Sequence, residues 1–223
     1  MVIAGPRIID TFPRYADAAG GVRRPLQERS LQTYNRLIAA ALEMLREQDF
    51  DVISIRELVE RSDCSVGSFY HRFGTKEGLF DALIHAMLAR RGEAVEIMFE
   101  ATATEDLPEA IVRGALANYR AHANLLRPGM RYHLQGKDCW QPISQFGRGV
   151  TQRYIERVER DRGAALSPDE VMRVEFAFIW LHGHLTNSLA YIYRLYDFRE
   201  ERFEEETVKN FILTIDNALN PAI

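Results

Sequence analysis

The spacing of apolar side chains predicts a chain built of helices. After an N-terminal segment without sustained periodicity, apolar residues recur every three or four positions from Gln27 to Gln48, which is typical of an amphipathic helix with one buried stripe. No segment shows the strict alternation expected of a half-buried strand, and no internal repeat is visible. We therefore predict an all-α fold. The stripe of the first helix is Leu31, Tyr34, Ile38, Ala41, Leu42 and Leu45.

Capping signals divide the next segment into short helices. "SIRE", which begins at Ser54, has the serine and glutamate of a capping box and predicts a short second helix. Ser65 is placed to cap a third helix that ends at Gly74, and Thr75 is placed to cap a fourth. Asp63 lies where the tight turn needs a positive φ, which aspartate tolerates better than most residues. Two short helices joined by a tight turn predict a helix-turn-helix.

The remainder of the chain is predicted to be helical as well. The last two helices carry more apolar surface than one small domain can cover, which predicts a homodimer joined by a four-helix bundle with Leu181 and Phe211 in the contact. The predicted segments are a helix over 106–124, a short segment over 126–135 interrupted by Pro128 and Gly129, a helix over 142–162, a helix from the "SPDE" cap at Ser167 to about Tyr193, and a last helix with Val208, Phe211, Ile212, Ile215 and Leu219 on one face.

Charge is unevenly placed along the 223 residues. The net charge is -4, but residues 1–91 carry 13 Lys and Arg against 12 Asp and Glu, whereas residues 92–223 carry 15 against 20. The stretch "CSVGSFYHRFGTKEGLF", Cys64 to Phe80, has three basic side chains and no acid before Glu77. An acidic total therefore does not exclude a polyanion partner, because binding depends on the local field.

Other features of the sequence indicate the cellular compartment. No apolar run is long enough to cross a bilayer, and charged residues interrupt the N-terminal segment where a signal peptide needs an apolar core. We therefore expect a cytoplasmic protein with no membrane partner. Cys64 and Cys139 lie far apart and match no metal spacing, which argues against a disulfide or zinc site. Each is interpreted as a structural thiol, with redox sensing as the alternative.

The alternative class of function is that of an enzyme. The six histidines form no H-x-x-x-H pair, and His182 and His184 point to different sides of a helix. No Gly-rich phosphate loop, nucleophile elbow or Ser/His/Asp arrangement is visible. We therefore predict that the protein is not an enzyme and uses neither a cofactor nor a metal.

The segment "SIRELVERSDCSVGSFYHRFGTKEGLF" from Ser54 resembles the DNA-binding segment of the TetR family of bacterial transcriptional regulators. It follows the family pattern "S-x-G-[ST]-x-Y-x-x-F-x-x-K-E-x-L". Val59 and Ser62 replace customary alanines, Asp63 replaces a glycine and Cys64 replaces a valine. These departures affect packing and the turn more than the DNA face.

The resemblance implies an architecture and a function. Residues 1–26 are predicted to be a flexible arm, 27–74 a three-helix helix-turn-helix domain that binds DNA, and 75–223 a larger helical domain for effector binding and dimerisation, with about nine helices in all. The implied function is that of a homodimeric, ligand-responsive regulator, most simply a repressor released from a palindromic operator by a small, partly apolar effector. The implied switch is a change in spacing between the two DNA-binding heads as the fourth helix tilts.

The resemblance also implies which residues meet DNA. Tyr70 and Lys76 are expected to hold phosphates, and Arg72 either phosphate or base. Gly67 and Ser68 keep the front of the third helix slim enough to enter a major groove. The inward face is predicted to be Leu58, Cys64, Phe69 and Phe73, the candidates for base contact are Arg56, Val66, Ser68 and His71, and the whole predicted DNA-binding set is Arg56, Ser65, Val66, Gly67, Ser68, Tyr70, His71, Arg72 and Lys76.

Two further hypotheses concern the arm and the effector. Arg23 and Arg24 are interpreted as solvated charge in a flexible segment, with a minor-groove arm as the alternative. Aromatic and hydrogen-bonding groups among apolar helices suit an effector pocket, which an architectural DNA binder without ligand would not need. Core packing or a dimer interface is the alternative for each of these residues. The predicted effector-binding set is Tyr119, His122, Trp140, Phe146, Trp180 and His184.

Overall fold

A computed structural model describes residues 28–136, 140–190 and 197–220, and within these ranges the chain forms nine α-helices and no strand. The all-α prediction is confirmed. The predicted arm with Arg23 and Arg24, Cys139, and the predicted helix end at 191–193 lie outside the described residues. The helices are α1 (Glu28–Met44), α2 (Ile55–Arg61), α3 (Val66–Phe73), α4 (Lys76–Ala101), α5 (Leu107–Ala121), α6 (Ala123–Leu134), α7 (Gln141–Arg162), α8 (Pro168–Leu189) and α9 (Glu201–Leu219), with a short 3-10 turn at Thr104–Asp106 before α5.

The described residues form two compact units. The first contains the described residues up to Gly92 together with those of His122–Ile143, and the second contains Glu93–Ala121 together with the described residues of Ser144–Ile223. Helix α6 therefore belongs to the same unit as α1, α2 and α3. The sequence had suggested a division near residue 75, and that division remains a prediction about domains.

The capping signals of the first unit act largely as predicted. The Ser54 hydroxyl accepts the amide of Glu57 at 3.1 Å, and the Ser65 hydroxyl accepts the amide of Ser68 at 3.0 Å. Glu57 does not complete a capping box, because its carboxylate pairs with Arg61 at 3.2 Å one turn further along α2. The Thr75 hydroxyl accepts the amide of Gly78 at 3.1 Å and so starts α4.

Positive backbone angles occur at the two positions that the sequence indicates. Asp63 has φ 49° in the turn between α2 and α3, and Gly74 has φ 70° at the end of α3. The Asp63 carboxylate is held by Arg36 of α1 at 3.2 Å. An aspartate can therefore replace the glycine that such a turn favours, because it tolerates the left-handed region and gains an ion pair.

Side chains from α1, α2 and α3 enclose the core of the first unit. Leu58, Phe69 and Phe73 are buried as predicted. Cys64 is only half-buried, and its thiol donates to the carbonyl of Ser62 at 3.3 Å. Leu31 departs from the predicted stripe of α1, because its side chain is 47% exposed.

Helix α6 is continuous through Pro128, where the sequence had indicated an interruption. Proline has no amide hydrogen, so the carbonyl of Asn124, four residues earlier, is left without its usual helical donor. That carbonyl accepts the amide of Phe50 at 2.9 Å instead. The interruption was therefore a wrong inference: a backbone partner outside the helix satisfies the group that proline leaves free.

The second unit is organised around α5, α8 and α9. A full capping box starts α8, with the Ser167 hydroxyl accepting from the Glu170 amide at 3.3 Å and the Glu170 carboxylate accepting from the Ser167 amide at 2.7 Å. Leu181 and Phe211 are 4% and 0% exposed, respectively. Both lie in the core of the protomer, and the prediction that they form the dimer contact is therefore wrong.

Candidate nucleic-acid interface

Helix α3 presents the predicted DNA-binding side chains on its outer face. Val66 and Tyr70 are 48% and 50% exposed, and Ser65, Gly67 and His71 are also exposed. Their apolar neighbours on the opposite face, Phe69 and Phe73, fix the rotation of the helix because they are buried in the core. Ser68 is half-buried at the N-terminal end, where its hydroxyl lies 2.9 Å from that of Ser65, and Arg56 is exposed on α2.

The outer face of α3 carries no acidic group. The sequence of the helix, "VGSFYHRF", contains neither Asp nor Glu. A residue with a side chain at Gly67 would project from this surface, because a Cβ placed there meets only the Ser65 hydroxyl, at 3.8 Å. The surface is thus slim and free of negative charge, as a helix that enters a major groove requires.

Arg72 is the exception among the predicted DNA-binding residues. Its side chain is only 3% exposed, and burial lowers the pKa of its guanidinium, an effect that the nearby Tyr34 phenol opposes. A side chain enclosed in this way cannot reach phosphate or base without leaving the interior. The assignment of Arg72 to the DNA face is therefore corrected, and Arg72 belongs to the core between α1 and α3.

Lys76 lies at the first position of α4, half-buried and already oriented. Its ammonium donates to the carbonyl of Asp51 at 2.9 Å and lies 5.1 Å from the centre of the Phe50 ring. Burial lowers the pKa of Lys76, whereas the charges of Asp51 and Glu77 raise it. An ammonium has three N–H donors, so the carbonyl fixes its position and leaves donors for an anion.

The predicted effector-binding residues do not all fall in one unit. His122 and Trp140 belong to the first unit, and Tyr119, Phe146 and His184 belong to the second. Trp140 is 8% exposed and packs against the position of Gly129, where a Cβ would lie 3.3 Å from its ring. His122 is half-buried, and burial together with the charge of Arg90 lowers its pKa.

A partly buried polar cluster in the second unit joins one predicted effector residue to two side chains outside the predicted set. The Tyr119 hydroxyl lies 3.2 Å from Nδ1 of His182 and 3.3 Å from the Thr186 hydroxyl. Burial raises the pKa of Tyr119 to about 12 and lowers that of His182. His182 and Thr186 are four residues apart on α8, and this spacing places them on one face of the helix.

Trp180 lies on the surface of the second unit. Its ring is stacked on His184 with centroids 5.3 Å apart, and His184 is stacked in turn on Phe203 at 4.9 Å. Nε2 of His184 lies 3.1 Å from the Thr207 hydroxyl. Trp180 is 39% exposed and shares its face of α8 with the exposed side chains of Met172, Phe176 and Ile179.

Within the described ranges, no three His, Cys, Asp or Glu side chains are grouped so that they could hold a metal ion. None of the helices in the described part of the chain has the length and apolar character needed to cross a membrane.

Sequence comparison identifies the first unit. Residues 37–83 match the profile of bacterial regulatory proteins of the tetR family. This range contains α2, α3 and the start of α4, which are the elements that carry the outer face described above. The chain is also 18% identical over 182 residues, 81% of its length and 95% of the relative's, to the uncharacterized HTH-type transcriptional regulator YvkB of Bacillus subtilis.

Solved structures show that the helical arrangement is that of the same family. A TetR-family transcriptional regulator from Mesorhizobium loti is 17% identical, with a TM-score of 0.64 over 86% of this chain and 98% of its own. FadR from Bacillus subtilis, solved in complex with stearoyl-CoA, is 14% identical, with a TM-score of 0.55 over 85% of this chain and 100% of its own. The fold and the matched segment agree: residues 37–83 carry the DNA-binding signature of the tetR family, and the chain has the fold of TetR-family transcriptional regulators.

Proposed function

We propose that this regulator is a homodimeric repressor that binds a palindromic operator and leaves it when a small molecule binds. The observation that supports DNA binding is the outer face of α3, where Val66, Tyr70 and His71 are exposed and the helix has no acidic residue. A repressor of this kind acts in the cytoplasm, where bacterial DNA lies.

The side chains of the interface divide into two roles. Lys76 and Tyr70 hold phosphates, which supplies affinity that depends on salt but not on sequence. Arg56, Val66, Ser68 and His71 face base edges, which supplies sequence preference. Ser65 and Gly67 form the slim leading end of α3.

An exposed apolar stripe on α8 supports the homodimer. Its side chains recur at helical spacing, and Phe176 and Ile179 are each 64% exposed. A large apolar patch on the surface of a folded domain marks an interface more often than a free surface. We therefore assign Trp180 to the dimer contact rather than to the effector site. The stripe consists of Met172, Phe176, Ile179 and Trp180.

The effector is proposed to be partly apolar. In the second unit, Tyr119 and His184 offer hydrogen-bonding groups, and Phe146 is a buried apolar side chain of the same unit. The related FadR structure holds stearoyl-CoA, a ligand with a long apolar chain and polar groups. His122 and Trp140 belong to the first unit, and their part in effector binding remains a prediction from the sequence.

The proposed function is tested in two steps. A random duplex library, passed over the immobilised protein, should yield a palindrome with half-sites about one helical turn apart. A metabolite that raises the melting temperature should then weaken binding of that duplex, and the duplex should weaken binding of the metabolite by the same factor. Enrichment of no palindrome would contradict the operator proposal, and a metabolite that binds tightly without changing DNA affinity would contradict the switch.

A further inference from the structure

One face of α6 is bound to the loop between α1 and α2. Five residues recur at the spacing i, i+3, i+4, i+7 and i+8, so they lie on the same side of the helix. The side-chain amide of Asn124 donates to the carbonyl of Leu45 at 2.9 Å, and the backbone carbonyl of Asn124 accepts the amide of Phe50 at 2.9 Å. We call this the α6 clamp; its members are Asn124, Arg127, Pro128, Arg131 and Tyr132.

Ion pairs and a hydrogen bond extend the α6 clamp along the loop. Arg127 pairs with Asp49 at 2.9 Å, and Arg131 pairs with the Oδ2 oxygen of Asp51. The Tyr132 hydroxyl donates to the other oxygen of Asp51, Oδ1, at 2.7 Å. Both carboxylate oxygens of Asp51 are thus held by side chains of one helix.

Aromatic contacts support the same geometry. The ring centroids of Tyr132 and Phe80 lie 5.2 Å apart in an edge-to-face arrangement, and those of Phe80 and Phe50 are also 5.2 Å apart. Gly129 permits this approach, because a Cβ there would lie 3.0 Å from the Phe80 ring. The loop that carries Phe50 and Asp51 is therefore fixed by packing as well as by charge.

Asp51 connects this clamp to the DNA side of the unit. Its backbone carbonyl accepts the ammonium of Lys76 at 2.9 Å, and the neighbouring Phe50 ring lies under that ammonium at 5.1 Å. The carboxylate thus faces α6 and the carbonyl faces Lys76. Any loss of order at Asp51 would allow the flexible lysine side chain to leave this position.

We infer that Asp51, held by Arg131 and Tyr132, is a positioning residue for DNA binding: it places the Lys76 ammonium for a phosphate. The inference rests on the proposed function, in which Lys76 holds that phosphate. In this arrangement α6 sets the strength of the contact without touching DNA. Holding the ammonium in advance lowers the entropy lost on binding, and this favours the bound state.

The experiment measures DNA affinity over a salt series by fluorescence anisotropy, with a labelled duplex that the full-length protein has selected from a random library. Lys76→Ala is the reference, because it removes two phosphate contacts per dimer and should make the slope of log affinity against log salt shallower by about 1.8. We expect Tyr132→Phe, which keeps the ring and removes only the hydroxyl, to make the slope shallower as well.

Tyr34→Phe is the matched control. It also removes a single phenol hydroxyl from the same unit, in this case a buried one for which the described part of the chain offers no hydrogen-bond partner. Its slope should equal that of the wild type. Arg131→Gln, which breaks the other contact to Asp51, serves as a second variant and should act in the same direction as Tyr132→Phe.

The double variant Tyr132→Phe/Lys76→Ala decides whether Tyr132 acts through the lysine. If it does, the double variant has the slope and affinity of Lys76→Ala alone. Additive losses of affinity, or a Tyr132→Phe slope equal to that of the wild type, would overturn the positioning role while leaving the phosphate contact intact. An unchanged slope for Lys76→Ala would refute the phosphate contact itself, and the inference would fail with it.

Discussion

Gly78 lies so close to the end of α3 that a Cβ placed on it would be 2.0 Å from the carbonyl oxygen of Phe73. No side chain can relieve this contact, because the atom it would meet belongs to the backbone. The glycine in "KEGLF" therefore sets how closely α4 follows α3, although the sequence pattern gave it no role.

Gly78→Ala is expected to destabilise the protein by about 1 to 3 kcal/mol, because α3 and α4 must separate to admit the methyl group. Urea unfolding followed by circular dichroism measures the loss. A free energy of unfolding equal to that of the wild type would mean that this contact is not as tight as the structure has it.

Gly67→Ala, unlike Gly78→Ala, should leave stability intact and weaken DNA binding. A methyl group at Gly67 meets only the Ser65 hydroxyl at 3.8 Å, and alanine is the better helix former by up to about 1 kcal/mol, so stability should be kept or raised. If α3 enters the major groove, the same methyl group reduces operator affinity. Wild-type affinity in this variant would show that Gly67 does not approach DNA.

The exposed apolar stripe on α8 predicts which positions, when substituted by a charged residue, should prevent the protomers from associating. Phe176→Glu and Ile179→Glu should give folded monomers, because each places an unpaired carboxylate in the proposed dimer contact. Ile97→Glu is the matched control, since Ile97 is 66% exposed in the same unit but lies on α4. Analytical ultracentrifugation should show a dimer for the control and monomers for the stripe variants; dimers in all three would rule out this interface.

Acid should weaken the fold. Burial lowers the pKa of His182 and His184 below the ordinary value of 6.5, and burial with the charge of Arg90 does the same for His122. The unfolded chain therefore binds protons first, so stability is fully present above about pH 6.5 and falls as the pH drops toward the lower folded values. The urea midpoint should be lower near pH 5.5 than near pH 7.5.

His182→Asn tests one contributor to this pH dependence. Asparagine can keep a hydrogen-bonding group near the Tyr119 hydroxyl but has no titrating proton in this range. The variant should lose less stability than the wild type between the two pH values. An equal fall in midpoint for both proteins would show that His182 does not contribute.

Local signals in the sequence were sufficient to predict the DNA-binding end of the fold. Each local feature there depends on a few neighbouring residues, so the sequence pattern is enough to predict it. These features are the caps at Ser65 and Thr75, the turn at Asp63 and the helix end at Gly74. The course of α6 could not be predicted in this way. Pro128 is compatible with a helix here because Phe50, far away in sequence, supplies the donor for the Asn124 carbonyl.

The same reasoning explains the error on the dimer contact. Helix α8 has apolar side chains on several faces, so periodicity shows that more than one face is covered but not by which partner. The structure separates them: Leu181 is buried by the protomer itself, whereas Phe176 and Ile179 are exposed. Arg72 could not be distinguished from its neighbours for a related reason, because a basic residue beside exposed Tyr70 and His71 can also turn inward.

The central claim is that α3 reads DNA sequence through its outer face, and His71→Ala tests it most directly. Affinity is measured by fluorescence anisotropy for the selected palindrome and for a scrambled duplex, with exposed His133→Ala of α6 as the control. We expect a loss of about 1 to 3 kcal/mol on the palindrome, a much smaller loss on the scrambled duplex, and no loss on either for the control. Equal losses of His71→Ala on both duplexes, or none on the palindrome, would contradict the claim.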